Sequence, residues 1–414
     1  MVPEVPAVND QRVRSFRRAD YSNAPASWVA RVSEWEKTRP GQLAVPALLA
    51  VVALTLYLIR LGEPDAYIYD EVYHAYTAKE YVRGNADAYV WYTSAPQEGV
   101  AYEWTHPPTG KLLLAAGIWL WGDSSFGWRF ASAIFGAIGI GLAYVLGKRV
   151  GGSALVGLFA AGLLMVDGLY FVQSRTGMVD IFVLVFTLAA LISAYDYLTL
   201  PDIPGPARWA LVRTGLLLGL ALSSKWNAAY AAGLIGLVIV AKLALSLWTG
   251  MSQAQLRTSA AARGRSGGRR GGATDRQERQ IWSAAMRERL IWIPLGLGLV
   301  PAIVYMLSYT PFFLEGHTFS QFRELQRQMW WYHTNLVATH PYASKWWQWP
   351  LAWKPVWYYV GYHDTTQARI YANGNPFLFW PMVPAVLWVC WSWWKEQRFI
   401  ALTILAIGFF GQWL

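Results

Sequence analysis

Charged side chains are scarce in this 414-residue chain, where Asp, Glu, Lys and Arg together make up 14% of the sequence. A soluble chain carries about 25%, so a water-exposed globular fold is excluded. Cysteine is scarcer still. Cys390 stands alone inside an apolar run, which rules out an intrachain disulfide. The six histidines form no HExxH-type zinc pattern, and there is no dinucleotide-binding glycine fingerprint. Nor is there an internal repeat of the kind that builds a transporter from duplicated halves.

Apolar residues, by contrast, are 55% of the chain and arrive in blocks of bilayer length. The chain reads as an integral membrane protein with spans near Leu43–Leu61, Phe126–Gly147, Ala154–Phe171, Ile181–Leu198, Trp209–Ser223, Ala228–Trp248, Ile291–Tyr309, Pro376–Trp394 and Phe399–Leu414. Leu112–Trp121 is too short to cross and follows Pro107–Pro108, so it reads as a helix lying in the interface. The 25 tryptophans and 23 tyrosines suit membrane interfaces or a lipid or carbohydrate groove.

The net charge of +10 is distributed by topology. With residues 1–42 as a cytoplasmic tail lacking a signal-peptide core, Lys148–Arg149, Arg208, the run Arg257–Arg289 and Lys395–Arg398 all fall inside. The Gly/Arg-rich stretch 251–280, within a basic loop at 249–290, reads as a disordered cytoplasmic linker rather than a nucleic-acid site. Two long segments then lie outside, 62–126 and the aromatic 310–375.

Three groups could carry chemistry. Asp70–Glu71, in YIYDEVYHAY, is either a solvated acidic pair or a carboxylate base pressed against the membrane surface, where its proton affinity would rise. His106-Pro-Pro-Thr-Gly-Lys111 is either a stiff turn or a presentation of His106 to the acidic pair. Arg129, Arg175 and Lys225 sit at outer span ends, where the charge bias disfavours cations. Each alone reads as a snorkelling anchor, but together they suit an anionic ligand such as a lipid-linked phosphate. Asp180, in QSRTGMVD, is expected to pair with Arg175. His74, His317, His333, His340 and His363 read as surface or groove residues.

Taken in order, DEVYH, HPPTGK, the arginine opening the second span, QSRTGMVD, SSKW and SKWWQWPLAWKPVWYY resemble the polyprenyl-phosphate-mannose–protein O-mannosyltransferase family in its bacterial branch. That resemblance implies an all-α, multi-span membrane bundle of the GT-C type with interfacial helices at the outer face, spanning 43–414. It implies Asp70 as the base with Glu71 beside it, and Arg129, Arg175 and Lys225 on the donor phosphate; His106 and Asp180 are candidate supporting residues from their own positions. The segment 310–375 is too short for the lumenal β-trefoil domain of eukaryotic members, and the family pattern implies further spans after the last apolar run.

The expected reaction is inverting transfer of mannose from a polyprenyl-phosphate donor to Ser/Thr hydroxyls of an unfolded or translocating polypeptide, in the plasma membrane. Membrane lipid and protein-export machinery are the other expected partners, with nucleic acid excluded. No cofactor or metal is required by the sequence, although a divalent cation is compatible with it. The rival readings are a lipid or cell-wall glycan acceptor, or a lipid-carrier flippase or transporter. The last is disfavoured because Asp167 is the main acidic residue within an expected span.

Overall fold

The computed structural model describes residues 38–262, 271–337, 339, 342–363, 365–395 and 399–413. Residues 1–37 of the expected tail, 263–270 of the basic loop and His340 lie outside the described residues. The helices are α1 (Arg39–Leu58), α2 (Glu71–Val82), α3 (Thr109–Trp121), α4 (Ser125–Gly151), α5 (Ala154–Met165), α6 (Gly168–Gln173), α7 (Asp180–Thr199), α8 (Pro206–Leu222), α9 (Ala228–Ala262), α10 (Gly271–Pro294), α11 (Val300–Ser308), α12 (Thr310–Leu314), α13 (Phe319–Asn335), α14 (Pro376–Lys395) and α15 (Phe399–Trp413). Strands β1 (Val356–His363) and β2 (Thr366–Ala372) form an antiparallel hairpin before α14.

Five stretches among the described residues are helical, long and apolar enough to cross a membrane: Pro40–Leu58, Ser125–Gly151, Asp180–Thr199, Ala228–Ser252 and Arg276–Ser308. The protein is a multi-pass membrane protein. Large apolar side chains such as Leu48, Val51, Phe159, Leu237 and Val240 point outward, as lipid rather than water demands. Inside, Ala190, Ala194, Tyr197, Leu211, Leu218, Ile235, Ile239 and Ile404 pack α7, α8, α9 and α15 into one core.

Glycine sets the closest approaches. A Cβ at Gly215 of α8 would overlap the carbonyl of Gly296, so α8 presses directly on the π-helical turn Leu295–Leu299. That turn joins α10 to α11 between Pro294 and Pro301, where regular helical bonding is interrupted.

Several expectations change here. The span expected at Ala154–Phe171 is broken, because α5 stops at Met165 and α6 restarts at Gly168. Asp167 sits in the break as the cap of α6, accepting from the Tyr170 N–H at 2.8 Å and the Asn375 N–H at 2.9 Å. It is thus a clamp between two chain segments rather than an acid within a span. On either side of the glycine-rich centre of 251–280, whose residues 263–270 lie outside the described residues, α9 runs on to Ala262 and α10 starts at Gly271. Ala, Gln, Glu and Arg, which favour helix, make up much of both flanks. The aromatic segment contains a hairpin, with a register shift between Trp357 and Tyr359.

One end of the bundle is tied together by ions. Asp196 bridges Arg149 and, at 2.6 Å, Arg213. Arg289 pairs with Asp202, and Lys242 donates to the carbonyls of Tyr197, Leu198 and Leu200 at 2.8–3.0 Å. These carbonyls are the orphan acceptors at the end of α7. The opposite end carries the motifs.

Candidate active site

The turn Ile68–Glu71 is closed twice. The Glu71 N–H donates to the Ile68 carbonyl at 2.9 Å, and the Ile68 N–H donates to Glu71 Oε2 at 3.0 Å. Closing so tight a turn puts Tyr69 at φ +48°, in the left-handed region, and leaves Asp70 at its tip as the residue before α2.

Glu71 is fully buried and fully committed. Its Oε1 accepts from Arg129 Nε at 2.8 Å and from the Gly177 N–H at 2.7 Å, and its Oε2 accepts from Arg129 Nη2 at 2.8 Å. Arg129 in turn spends its remaining N–H groups on the carbonyls of Leu61, Pro64 and Ala66. All five guanidinium donors are occupied. A direct phosphate contact from Arg129 would therefore require breaking this network, and the same holds for acid–base work by Glu71. The pair instead locks the Asp70 turn to α4 and to the QSRTGMVD turn, where Gly177 leaves room beside Trp128 and the Glu71 carboxylate. Losing one partner of such a buried pair costs about 3–5 kcal/mol.

Asp70 is the opposite case. Its carboxylate caps no backbone N–H and has no hydrogen-bond donor among the described residues. Burial and the nearby carboxylates of Asp180 and Glu103 push it up to about 6, against the opposing pull of Lys225. Asp180 pairs with Lys225 at 2.8 Å, not with Arg175 as its position in the sequence suggests. Both members of that pair are partly exposed, at 26% and 34% of their side-chain surface.

The SSKW motif reaches this place through a clip. Thr109 at the start of α3 donates its N–H to the Ser223 carbonyl at 2.9 Å and its hydroxyl to Ser223 Oγ at 2.8 Å. HPPTGK and SSKW are thereby held side by side.

His106 stacks between His74 and His333, with ring centroids 5.9 and 5.3 Å apart. Burial pushes His74 down to about 4 and His106 down to about 3, leaving both rings neutral at ordinary pH. Beneath them burial works to raise Glu103, but the Lys111 ammonium and the Thr105 hydroxyl hold its carboxyl below the usual range. The sequence reading missed Glu103, although its spacing three residues before His106 allows the His106 N–H to reach it at 2.9 Å. It also missed Tyr358 of β1. That ring stacks on Tyr69 at 4.3 Å and its hydroxyl accepts from Gln173 at 2.8 Å, contacts between distant parts of the chain that local pattern cannot reveal.

A largely apolar groove of about 770 Å³ lies between α5–α7 and α14, lined by Leu163, Leu184, Phe377 and Met382 with Gln173 and Asp180 among its polar residues. Arg175 does not face it. It lines a separate cavity, donating to the carbonyls of Leu56 at 3.3 Å and Arg60 at 3.1 Å. The structure therefore gathers Asp70, Asp180, Lys225 and His106, buries Glu71 with Arg129, and sets Arg175 apart. Among the described residues, no group of three or more His, Cys, Asp or Glu side chains is placed to hold a metal ion.

Residues 47–310 match the family described as dolichyl-phosphate-mannose-protein mannosyltransferase, and residues 318–403 match the C-terminal four TMM region of protein-O-mannosyltransferase. The polyprenol-phosphate-mannose–protein mannosyltransferase of Corynebacterium glutamicum is 28% identical over 88% of this chain and 75% of its own length. The protein of the same name from Mycobacterium tuberculosis is 27% identical over 89% of this chain and 73% of its own. In fold, the chain is similar to ArnT from Cupriavidus metallidurans, solved bound to undecaprenyl phosphate. The TM-score is 0.54 at 15% identity, over 91% of this chain and 56% of that one. The predominantly helical membrane fold is thus shared with that structure.

Proposed function

The chain belongs to the dolichyl-phosphate-mannose-protein mannosyltransferase family, and from that premise we propose that it moves mannose from a polyprenyl-phosphate donor to Ser/Thr hydroxyls of polypeptides. The single observation that carries the site assignment is the contrast between adjacent carboxylates: Glu71 has every acceptor position filled, and Asp70 has none filled.

In this reading the donor's polyprenyl tail lies in the apolar groove that Asp180 helps line, with its phosphate toward Lys225. The acceptor hydroxyl oxygen attacks the anomeric carbon as the bond from that carbon to the phosphate oxygen breaks. The hydroxyl proton passes to Asp70, whose pKa of about 6 suits a base working near neutrality. The departing phosphate gains negative charge, which the Lys225 ammonium stabilises. One displacement inverts the anomeric centre. Neutral His74 and His106 line the inner side and add no positive charge to compete with Lys225 for the phosphate. Arg129 serves by holding the turn that carries Asp70.

The paired basic loop ends, Lys148–Arg149 and Arg208 among them, support a cytoplasmic N-terminus and a site on the outer face of the plasma membrane. Exported polypeptides are the acceptors in that topology. The test is transfer of radiolabelled mannose from polyprenyl-phosphate-mannose to a Ser/Thr-rich peptide, with Asp70→Asn run alongside and a glycolipid acceptor as control. Transfer to the peptide that vanishes in the variant supports donor, acceptor and base together. Transfer to the glycolipid alone would replace the acceptor, and wild-type turnover in Asp70→Asn would remove the base.

A further inference from the structure

A second cavity, of about 850 Å³, takes no part in the reaction above. Three arginines from three parts of the chain line it: Arg60 just beyond α1, Arg175 just beyond α6, and Arg369 on β2. Arg175 donates to two main-chain carbonyls and lies over the Phe171 ring at 5.1 Å. Arg369 bonds Gln367 and Tyr371 and lies over the Trp357 ring at 5.6 Å. Among the described residues neither has a carboxylate partner.

The carboxylates in the wall are otherwise engaged. Glu63 pairs with Arg60, a strongly exposed contact between near neighbours in sequence that opens at little cost. Asp65 accepts from the Ser125 hydroxyl. Burial, together with the like charges of Arg129 and Arg60, pushes the Arg175 guanidinium below its ordinary value, a penalty that a bound anion would relieve.

The cavity's place in the fold narrows the anion. It opens at the very end of the first span, where Ile59 and Arg60 follow directly on the outward-facing stripe Val51, Val52 and Leu56. Acyl chains lying along that stripe would bring a headgroup to the arginines, while Ile59, Phe171 and Ile370 offer apolar surface for the glycerol backbone. We propose that this cavity binds the phosphate of an anionic phospholipid headgroup, held between Arg175 and Arg369 with Arg60 at the rim. The site shares no lining residue with the apolar groove and does not depend on the assigned reaction.

The test uses the full chain in detergent with phosphatidylglycerol or phosphatidylcholine, and counts retained lipid by native mass spectrometry. The variants are Arg369→Gln and the double Arg60→Gln/Arg369→Gln, with thermal unfolding measured in parallel. Arg175 is left intact because it also caps the end of α1. Preferential retention of phosphatidylglycerol by the wild type, weakened about tenfold for each arginine neutralised, is expected. Inorganic phosphate that displaces the lipid would show that the arginines read the phosphate group whatever carries it. Phosphate that fails to displace it, with retention still abolished in the variants, would assign the site to the whole headgroup. Equal retention of phosphatidylglycerol by the wild type and a folded double variant would overturn the proposal. Should the double variant not fold, unchanged retention in Arg369→Gln, at an exposed strand position, would overturn it equally.

Discussion

The two ends of the helical bundle treat charge in opposite ways. At the basic end Asp196 holds two arginines, Asp202 holds Arg289, and Lys242 satisfies three carbonyls that α7 cannot satisfy itself. At the other end, among the described residues, Asp70 is left without a donor, Lys225 is shared but partly exposed, and Arg175 and Arg369 have no carboxylate. The open end has closed pairs too, Glu71 with Arg129 among them, but it leaves other charged groups unspent. The difference is whether they are spent on one another, and it separates a fastening from a place able to receive a ligand.

Substitutions at the open end should break this contrast most strongly. Asp70→Asn is expected to lower mannosyl transfer by about 10²–10⁴-fold with the thermal unfolding midpoint unchanged. Glu71→Gln, one residue away, should do the reverse. It leaves Arg129 buried without its counter-charge, so unfolding in detergent should show a loss of about 3–5 kcal/mol, with activity falling only as folded protein is lost. Lys225→Gln should lower turnover by about 10²-fold while leaving the unfolding midpoint near that of wild type.

The pH dependence sharpens the comparison further. Asp70 works as a base only when ionised, and its pKa is raised to about 6, so transfer should fall about tenfold per pH unit below that value and level off above it. Asp180→Asn removes a neighbour that raises Asp70 and frees Lys225, which lowers it. Both changes move the acidic limb to lower pH, and a limb that stayed put would remove Asp180 from the environment of the base. The smallest effect belongs to the closed end. Arg213→Gln breaks a half-exposed pair, and a stability change within about 1 kcal/mol and unaltered transfer are expected.

How much of this was legible in the sequence follows from what each feature depends on. Several spans were legible because bilayer thickness fixes the length of an apolar run, and α4 and α7 begin and end within a few residues of their expected limits. The broken third span was not, because the break depends on Asp167 reaching Asn375 across the fold. The ordered motifs pointed to the family and to one end of the bundle. They could not divide labour within Asp70–Glu71, since the carboxylate that is saturated is decided by Arg129 and Gly177, far along the chain. For the same reason Arg175 and Lys225 looked equivalent as outer cations. Asp180 lies five residues from one and forty-five from the other, and it is the distant one that it meets.

The Glu71 node also bears on how the protein comes into being in the membrane. Its four contacts come from Ile68 beside the first span, Arg129 at the start of the second long helix, and Gly177 just ahead of α7. A chain inserted only as far as its first span offers that carboxylate the Ile68 N–H alone, without the Arg129 and Gly177 contacts that fix the turn presenting Asp70 to the rest of the bundle. Competence for transfer therefore arrives only when segments made at successive moments of insertion have closed around one side chain. Glu71 acts as a mark of completed assembly, set one residue from the group whose action must wait for it.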